Sequence, residues 1–452
     1  MTTLLSFVTG YLVWLPCFTC ASLLALGVLI MEMSRSNTNY LDPTFGNKGV
    51  VNLPFKAIPD VRSALDAAPQ FKEKLLLLAY VSRQDSKVSR LNKDGNPDLL
   101  FGNKGFVPVP LSGVERFLPV SLSVLTDGRW LVTGLDSDQG IIFTRQLKDG
   151  RPDPSFGLNN DGVVRYKVSD FVDQGTYSDA RFHGGRLLGG DVDESVHSSS
   201  GFKVVSSALD DKIVAVISIY FGGGIFESFV MRLNRNGSLD KTFGGKGFSA
   251  IEAPGLKSNS NLSVLAQQDG GAVVSFISGD WCSYLIRFKQ DGAFDIGFGG
   301  KGTGVVSIPF QGYPNVTSLV LKPDGGIIAG GRALPKSSIV SLTSEGLPDP
   351  GFNDGDPLFF NVPGYADTTT LWHIGLQSDG KILAGINVMN DNNESSMGVI
   401  ARFGLDGKID EEYGEKGFIS LNGMPGQCQF LVVLADDRAV CGFGNHIVRS
   451  LA

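Results

Sequence analysis

Asn92-Lys93-Asp94-Gly95-Asn96-Pro97-Asp98 sets side-chain oxygens at alternate positions, the spacing with which a loop can wrap a calcium ion. The same stretch recurs along the chain, and its substitutions weigh against a cage. The place of Asn92 is taken by Lys289, Thr343 and Gly404, and a ligand cage does not accept an ammonium. The plainer reading is an Asp-Gly turn followed by an aspartate that caps the next turn. His183, His197, His373 and His446 fall at unrelated positions and do not suggest an acid–base or metal cluster. There is no Ser-His-Asp order, Gly-x-Ser-x-Gly elbow or phosphate loop, and Gly222-Gly223-Gly224 lacks the strand-to-helix setting of one. Cys17 and Cys20 lie in an apolar N-terminal run; Cys282, Cys428 and Cys441 are scattered without CxxC spacing. They read as small buried hydrophobes rather than a disulfide framework or zinc site. No catalytic residue, metal or cofactor is expected. The net charge of -7 and the lack of a Lys/Arg run exclude nucleic acid as a main partner.

The elements that would carry any site come from a repeat. Asp42-Pro43-Thr44-Phe45-Gly46 returns at Asp98 with Phe101, Asp153 with Phe156, Asp240 with Phe243 and Asp295 with Phe298. Looser copies are Asp349 with Phe352 and Asp410 with Tyr413. The steps between aspartates are 56, 55, 87, 55, 54 and 61 residues. Midway through most units an Asp-Gly joins two apolar runs, as in Leu122–Val132, which is the signature of a hairpin turn that needs positive φ. Before each later Asp-x-x-Phe runs an alternating stretch such as Val88-Ser89-Arg90-Leu91, as half-buried strands do. A strand following the Gly49-type glycine makes four per unit. Glycine at 58 of 452 residues suits many tight turns. The chain therefore reads as all-β, a seven-bladed propeller of four-stranded antiparallel blades. The last strand stops where another Asp-x-x-Phe-Gly should follow, and that piece stands at Asp42. The two ends are expected to complete one unit and close the ring.

This repeat resembles the bacterial delta-60 repeat, with its Arg-Leu-x-x-Asp-Gly-x-x-Asp-x-x-Phe-Gly pattern. The resemblance covers about Tyr40 to Leu451 and departs at Ser341, Asn353 and Tyr413. It implies a propeller and no activity. The repeated Arg90, Arg145, Arg232, Arg287, Arg402 and Arg449 are expected to pair with the repeated aspartates.

The propeller is assigned to residues 41–452, after an apolar segment at 1–33 and a linker at 34–40. Leu4–Met31 carries no charge over 28 positions, enough for an apolar helix that crosses a bilayer. It lacks a basic flank before it, and Met33 reads equally as a native start. The protein is membrane-associated or exported in the first case and cytoplasmic in the second.

The 87-residue step holds about 30 extra residues near 171–201, placed by this phasing between the first and second strands of its unit. In up-and-down blades the regular turns share one face and the variable connections share the other. Trp281, Tyr313, Tyr365, Trp372 and His183 lie in or beside the variable connections and are the ligand-binding candidates. Their alternative is packing between blades. The expected function is a non-enzymatic binding or interaction module for a protein or glycan partner, acting as a monomer. The alternatives are a glycan-active lyase or hydrolase with a site at the channel mouth, and a secreted effector or toxin component.

Overall fold

The computed structural model describes residues 38–452 except 83–84, 110–116, 136–139, 173–179, 184–202, 207–211, 223–224, 310–314, 366–368 and 390–395. The apolar helix expected at Leu4–Met31 lies outside the described residues, as does Tyr313. Among the described residues no helix is long and apolar enough to cross a membrane.

The first strand, β1 (Val50–Asn52), pairs with the last strand of the chain and is taken up with it below. Blade 1 is β2 (Ser63–Gln70), β3 (Lys74–Ser82), β4 (Asp85–Leu91) and β5 (Phe106–Val109). Blade 2 is β6 (Leu118–Val124), β7 (Trp130–Leu135), β8 (Gly140–Gln146) and β9 (Val163–Lys167). Blade 3 is β10 (Arg181–His183), β11 (Lys203–Ser206), β12 (Ile213–Gly222), β13 (Ile225–Leu233) and β14 (Phe248–Ala250). Blade 4 adds a short β15 (Glu252–Ala253) to β16 (Leu256–Ala266), β17 (Ala272–Ser278), β18 (Ser283–Phe288) and β19 (Val305–Ile308). Blade 5 is β20 (Asn315–Leu321), β21 (Ile327–Ala333), β22 (Lys336–Leu342) and β23 (Leu358–Phe360). Blade 6 is β24 (Thr369–Leu376), β25 (Ile382–Met389), β26 (Ser396–Phe403) and β27 (Phe418–Leu421). Blade 7 is β28 (Cys428–Val433), β29 (Ala439–Phe443) and β30 (His446–Arg449), closed by β1.

The seven four-stranded antiparallel blades agree with the repeat. The phasing within the unit does not. The strand after each Gly49-type glycine pairs backwards, onto the strand before its own Asp-x-x-Phe turn: β5 lies on β4, β9 on β8 and β19 on β18. Each sequence unit thus gives its first strand to the preceding blade. The innermost strands touch in sequence around the ring, β2 with β6, β6 with β11, β11 with β16, and on through β20, β24 and β28 back to β2. At the seam Val50, Val51 and Asn52 lie opposite Val448, Ile447 and His446.

Strand composition follows from this packing. A blade is buried on both faces, so its middle strands are apolar without alternation, as in β17 with Ala272–Ser278 buried throughout. Alternate residues go to opposite neighbours. On β12, Ile213, Ala215 and Ile217 join the core shared with blade 2, while Val214 and Val216 join the core shared with blade 4.

The innermost strands share a β-bulge. Leu65, Val120, Thr317, Trp372 and Gln429 are the unpaired residues of β2, β6, β20, β24 and β28. In blade 3 the inner position is divided. His183 of β10 lies opposite Ser218, and Lys203 of β11 lies opposite Val216. The long insertion therefore interrupts the inner strand at the position where the others bulge. It does not sit in the connection between strands, where the sequence placed it. A bulge residue already lies outside the ladder, so an insertion there breaks few hydrogen bonds.

Candidate functional site

Every Asp-x-x-Phe turn has its two carboxylate oxygens divided between two tasks. One oxygen caps its own turn: Asp153 Oδ1 accepts the Ser155 N–H at 2.9 Å, and Asp42 Oδ1 accepts the Thr44 N–H at 2.9 Å. The other takes the repeated arginine. Arg145 Nε donates to Asp153 Oδ2 at 2.7 Å, Arg232 Nε to Asp240 at 2.8 Å and Arg449 Nε to Asp42 at 2.9 Å across the seam. Arg90, Arg287 and Arg402 pair likewise with Asp98, Asp295 and Asp410. Each of these guanidinium groups lies over the aromatic ring of its turn, at 4.5 Å for Arg145 on Phe156 and 4.4 Å for Arg402 on Tyr413. In five of the six, Arg402 being the exception among the described residues, an outer nitrogen reaches the next blade, as with Arg287 donating to Ser344 O and Arg449 donating to Lys93 O. The repeated arginine is a staple between blades.

The departures from the pattern are compensated. Ser341 replaces the arginine, and Lys322 Nζ reaches Asp349 Oδ2 at 2.7 Å in its stead. Asn353 replaces the glycine of its turn at φ 47°, a region that Asn tolerates better than most residues. A second cation, which the sequence reading missed, sits just after the midway turn. Lys74, Arg129, Lys212, Lys381 and Arg438 meet Asp98, Asp153, Asp240, Asp410 and Asp42. The signal was in the sequence, in Gly128-Arg129, Asp211-Lys212, Gly380-Lys381 and Asp437-Arg438. The calcium reading of Asn92–Asp98 meets the same cations, since Lys74 Nζ donates to both Asn92 and Asp98.

Burial alone would raise the Asp153 carboxyl. Hydrogen bonds from Ser155 and Arg129 and the charge of Arg145 outweigh it and hold the group at about 2. Asp42 is likewise held at about 2, by Thr44, Arg449 and Arg438 against its burial. An unfolded aspartate titrates near about 3.9. These groups therefore contribute stability that is complete above about pH 4 and lost as pH falls toward 2. The melting temperature should drop steeply between pH 4 and pH 2, and a flat profile across that window would contradict the assignment.

The opposite face carries the variable connections. Its described residues include the β17–β18 hairpin, closed by Ser278 N–H to Cys282 O at 3.1 Å and Trp281 N–H to Ser278 O at 3.0 Å. Asp280 holds this hairpin by accepting the Cys282 N–H at 3.1 Å and the Tyr284 hydroxyl. The Tyr284 hydrogen bond keeps the Asp280 carboxyl below its usual value, and the same bond pushes the Tyr284 phenol above its own. At the tip Trp281 stands 62% exposed with φ 60°. A bulky side chain in the left-handed region is strained, and a solvent-exposed indole gains little from burial in return.

The other aromatic candidates are placed differently. Tyr365 is half-buried against the core between blades 5 and 6, with its hydroxyl 3.8 Å from Met397 Sδ. Trp372 is the bulge residue of β24 and packs on the core between blades 6 and 7. His183 lies on β10. Trp281, on blade 4, is two blades away from Trp372. Among the described residues no group of three or more His, Cys, Asp and Glu side chains could hold a metal.

One family pattern matches the chain: the family described as a domain of unknown function (DUF5122) beta-propeller, over residues 209–243. That stretch is β12, β13 and the Asp240–Phe243 turn. It holds a β-propeller repeat. No curated protein matches the sequence. Among solved structures the chain is similar to a catalytically inactive virginiamycin B lyase from Staphylococcus aureus with quinupristin, at 12% identity and TM-score 0.47, covering 89% of this chain and 99% of that one. It is also similar to BBS1N in complex with ARL6DN, at 10% identity and TM-score 0.45, covering 89% and 95%. A third is Sqt1 from Chaetomium thermophilum, at 11% identity and TM-score 0.43, covering 86% and 97%.

Proposed function

We propose that this propeller is a non-enzymatic recognition module whose partner, a protein or a glycan, docks on the face of the variable connections. Trp281 carries the reading. An exposed indole in a strained backbone conformation, braced by Asp280, contributes little to stability, and strain of this kind gathers at binding sites. The regular-turn face is occupied by the arginine–aspartate staples, which leaves its polar groups committed. In this reading the units are delta-60 repeats, and Leu4–Met31 tethers the propeller to a membrane.

Trp281→Gly separates binding from folding. Glycine relieves a left-handed strain of about 1–2 kcal/mol and costs about 0.4–1 kcal/mol through the freer unfolded chain. The melting temperature should hold or rise slightly. Capture of a partner from an extract of the native host should fall at least tenfold. Undiminished capture by the glycine variant would refute the reading. Replacing residues 184–202 by a short Gly-Ser linker should likewise keep the fold, because both flanking strands retain their own pairing to β12. It should reduce capture, and a large fall in melting temperature would show that the insertion is structural.

A further inference from the structure

Arg332 is the one charged residue at its position in the blades. It lies in the second strand of blade 5, next to the end of β21 that faces the variable connections, opposite Asn315 and Ser337. By strand register the equivalent residues in the other blades are Tyr80, Leu135, Ser218, Ile277, Asn387 and Gly444. Asn387, one blade on, has its amide satisfied by the following blade: it donates to Gly426 O and accepts the Cys428 N–H at 2.7 Å. Arg332 receives no such answer.

The side of β21 that bears Arg332 is turned to blade 6, since a Cβ added at Gly330, two residues before it, would meet Ile374 and Leu371. There the guanidinium lies over the Trp372 ring, 5.1 Å from its centroid. Arg332 Nε and Trp372 Nε1 are both buried and without a hydrogen-bond partner among the described residues. No ion pair to Arg332 is present among them, and burial alone pulls its guanidinium below the usual arginine value. Two buried donors without acceptors each cost about 1–3 kcal/mol. The two donors, with the guanidinium lying over the indole ring, form a cradle for an acceptor that the described residues do not supply.

We infer that Arg332 and Trp372 form a binding site for a carboxylate group where β21 of blade 5 meets β24 of blade 6. A planar carboxylate offers two oxygens, one for the guanidinium fork and one for the indole N–H. The cradle has one positive charge in a chain of net charge -7, which favours a monoanion over a doubly charged phosphate or sulfate. The cation over the indole holds both donors in place before the ligand arrives. This site shares no residue with the Trp281 hairpin, so each can fail without the other.

The test reads the indole N–H resonance of Trp372 by NMR in the full chain, assigned by its loss in Trp372→Phe. Acetate at constant ionic strength against chloride should move that resonance downfield and saturate, with an affinity on the order of 1–10 mM for one charge-assisted contact. Arg332→Gln should weaken the response at least tenfold while the melting temperature holds or rises, because a half-buried cation with no ion-pair partner among the described residues has been removed. Arg332→Lys, which keeps the charge and loses the fork, should weaken it severalfold, and it serves as the test variant if the Gln variant fails to fold. An unmoved resonance, an equal response in Arg332→Gln, or a response to sulfate as strong as that to acetate would each overturn the proposal.

Discussion

Asp153→Ala is expected to destabilise the propeller by about 3–5 kcal/mol, the usual cost of leaving a buried charge without its partner. Asp153 is 2% exposed and faces two arginines. The Arg145 side chain is fully buried, with its Nε 2.7 Å from the carboxylate, and the Arg129 side chain is 11% exposed at 2.9 Å. Removing the carboxylate leaves two guanidinium groups facing each other and also deletes the cap on Ser155. Asp295→Ala is the comparison. Its Arg287 side chain is 23% exposed, Gly271 stands where five other units carry the second cation, and the exposed Lys289 comes only within 3.9 Å. The loss there should be smaller, about 1–3 kcal/mol. Thermal or urea unfolding of both variants checks the order. Equal losses would mean that the second cation adds nothing to the staple. Asp153→Asn should recover part of the loss, because an amide oxygen can still cap Ser155.

Much of this architecture was legible in the sequence, for reasons that can be named. Asp-x-x-Phe-Gly repeats because one turn performs several fixed tasks, a cap, an ion pair, a ring under a guanidinium and a left-handed residue, and few residue types satisfy them all. The ring closure was legible because a final strand without its turn and a first turn without its strand must belong together. The strand phasing was not. Val50 follows Gly49 in the chain, while its hydrogen bonds go to Val448, and contiguity says nothing about pairing. The second cation was obscured by its chemistry: Lys and Arg alternate there, and in blade 5 the job passes from Gly326 to Lys322, four residues before the usual place.

The candidate sites were less legible than the scaffold. Trp281, Tyr365 and Trp372 look alike in sequence as aromatics near variable connections. Their exposure separates them, and exposure depends on blades that are distant in the chain. Nothing about Arg332 marks it in sequence either, because it lies 40 positions from Trp372. Only blade-to-blade packing brings the two together. Scaffold residues recur seven times and so announce themselves. A recognition residue occurs once.

The seam yields the second large effect. A chain that begins at Lys56 should fail to form a stable ring, while one that begins at Met33 should unfold at the same temperature as the full chain. The shorter chain loses Leu41, Phe45, Val50, Val51, Leu53 and Phe55, which are 1%, 2%, 8%, 7%, 4% and 6% exposed. At about 1.5–3 kcal/mol for each buried side chain, that is about 9–18 kcal/mol. A whole domain is stable by about 5–15 kcal/mol, so the loss is of the same size. The deletion also takes Asp42 from Arg449 and Arg438, and it bares the edge of β30, where an unpaired strand recruits other chains. The expected result is aggregated or expanded protein in size-exclusion chromatography. A synthetic peptide covering residues 40–55, added during refolding, should restore compact monomer by supplying β1 and the Asp42 turn in trans. A chain from Lys56 that elutes as a compact monomer without the peptide would show that the innermost contact of β28 with β2 closes the ring unaided, and that the outer strand only seals it.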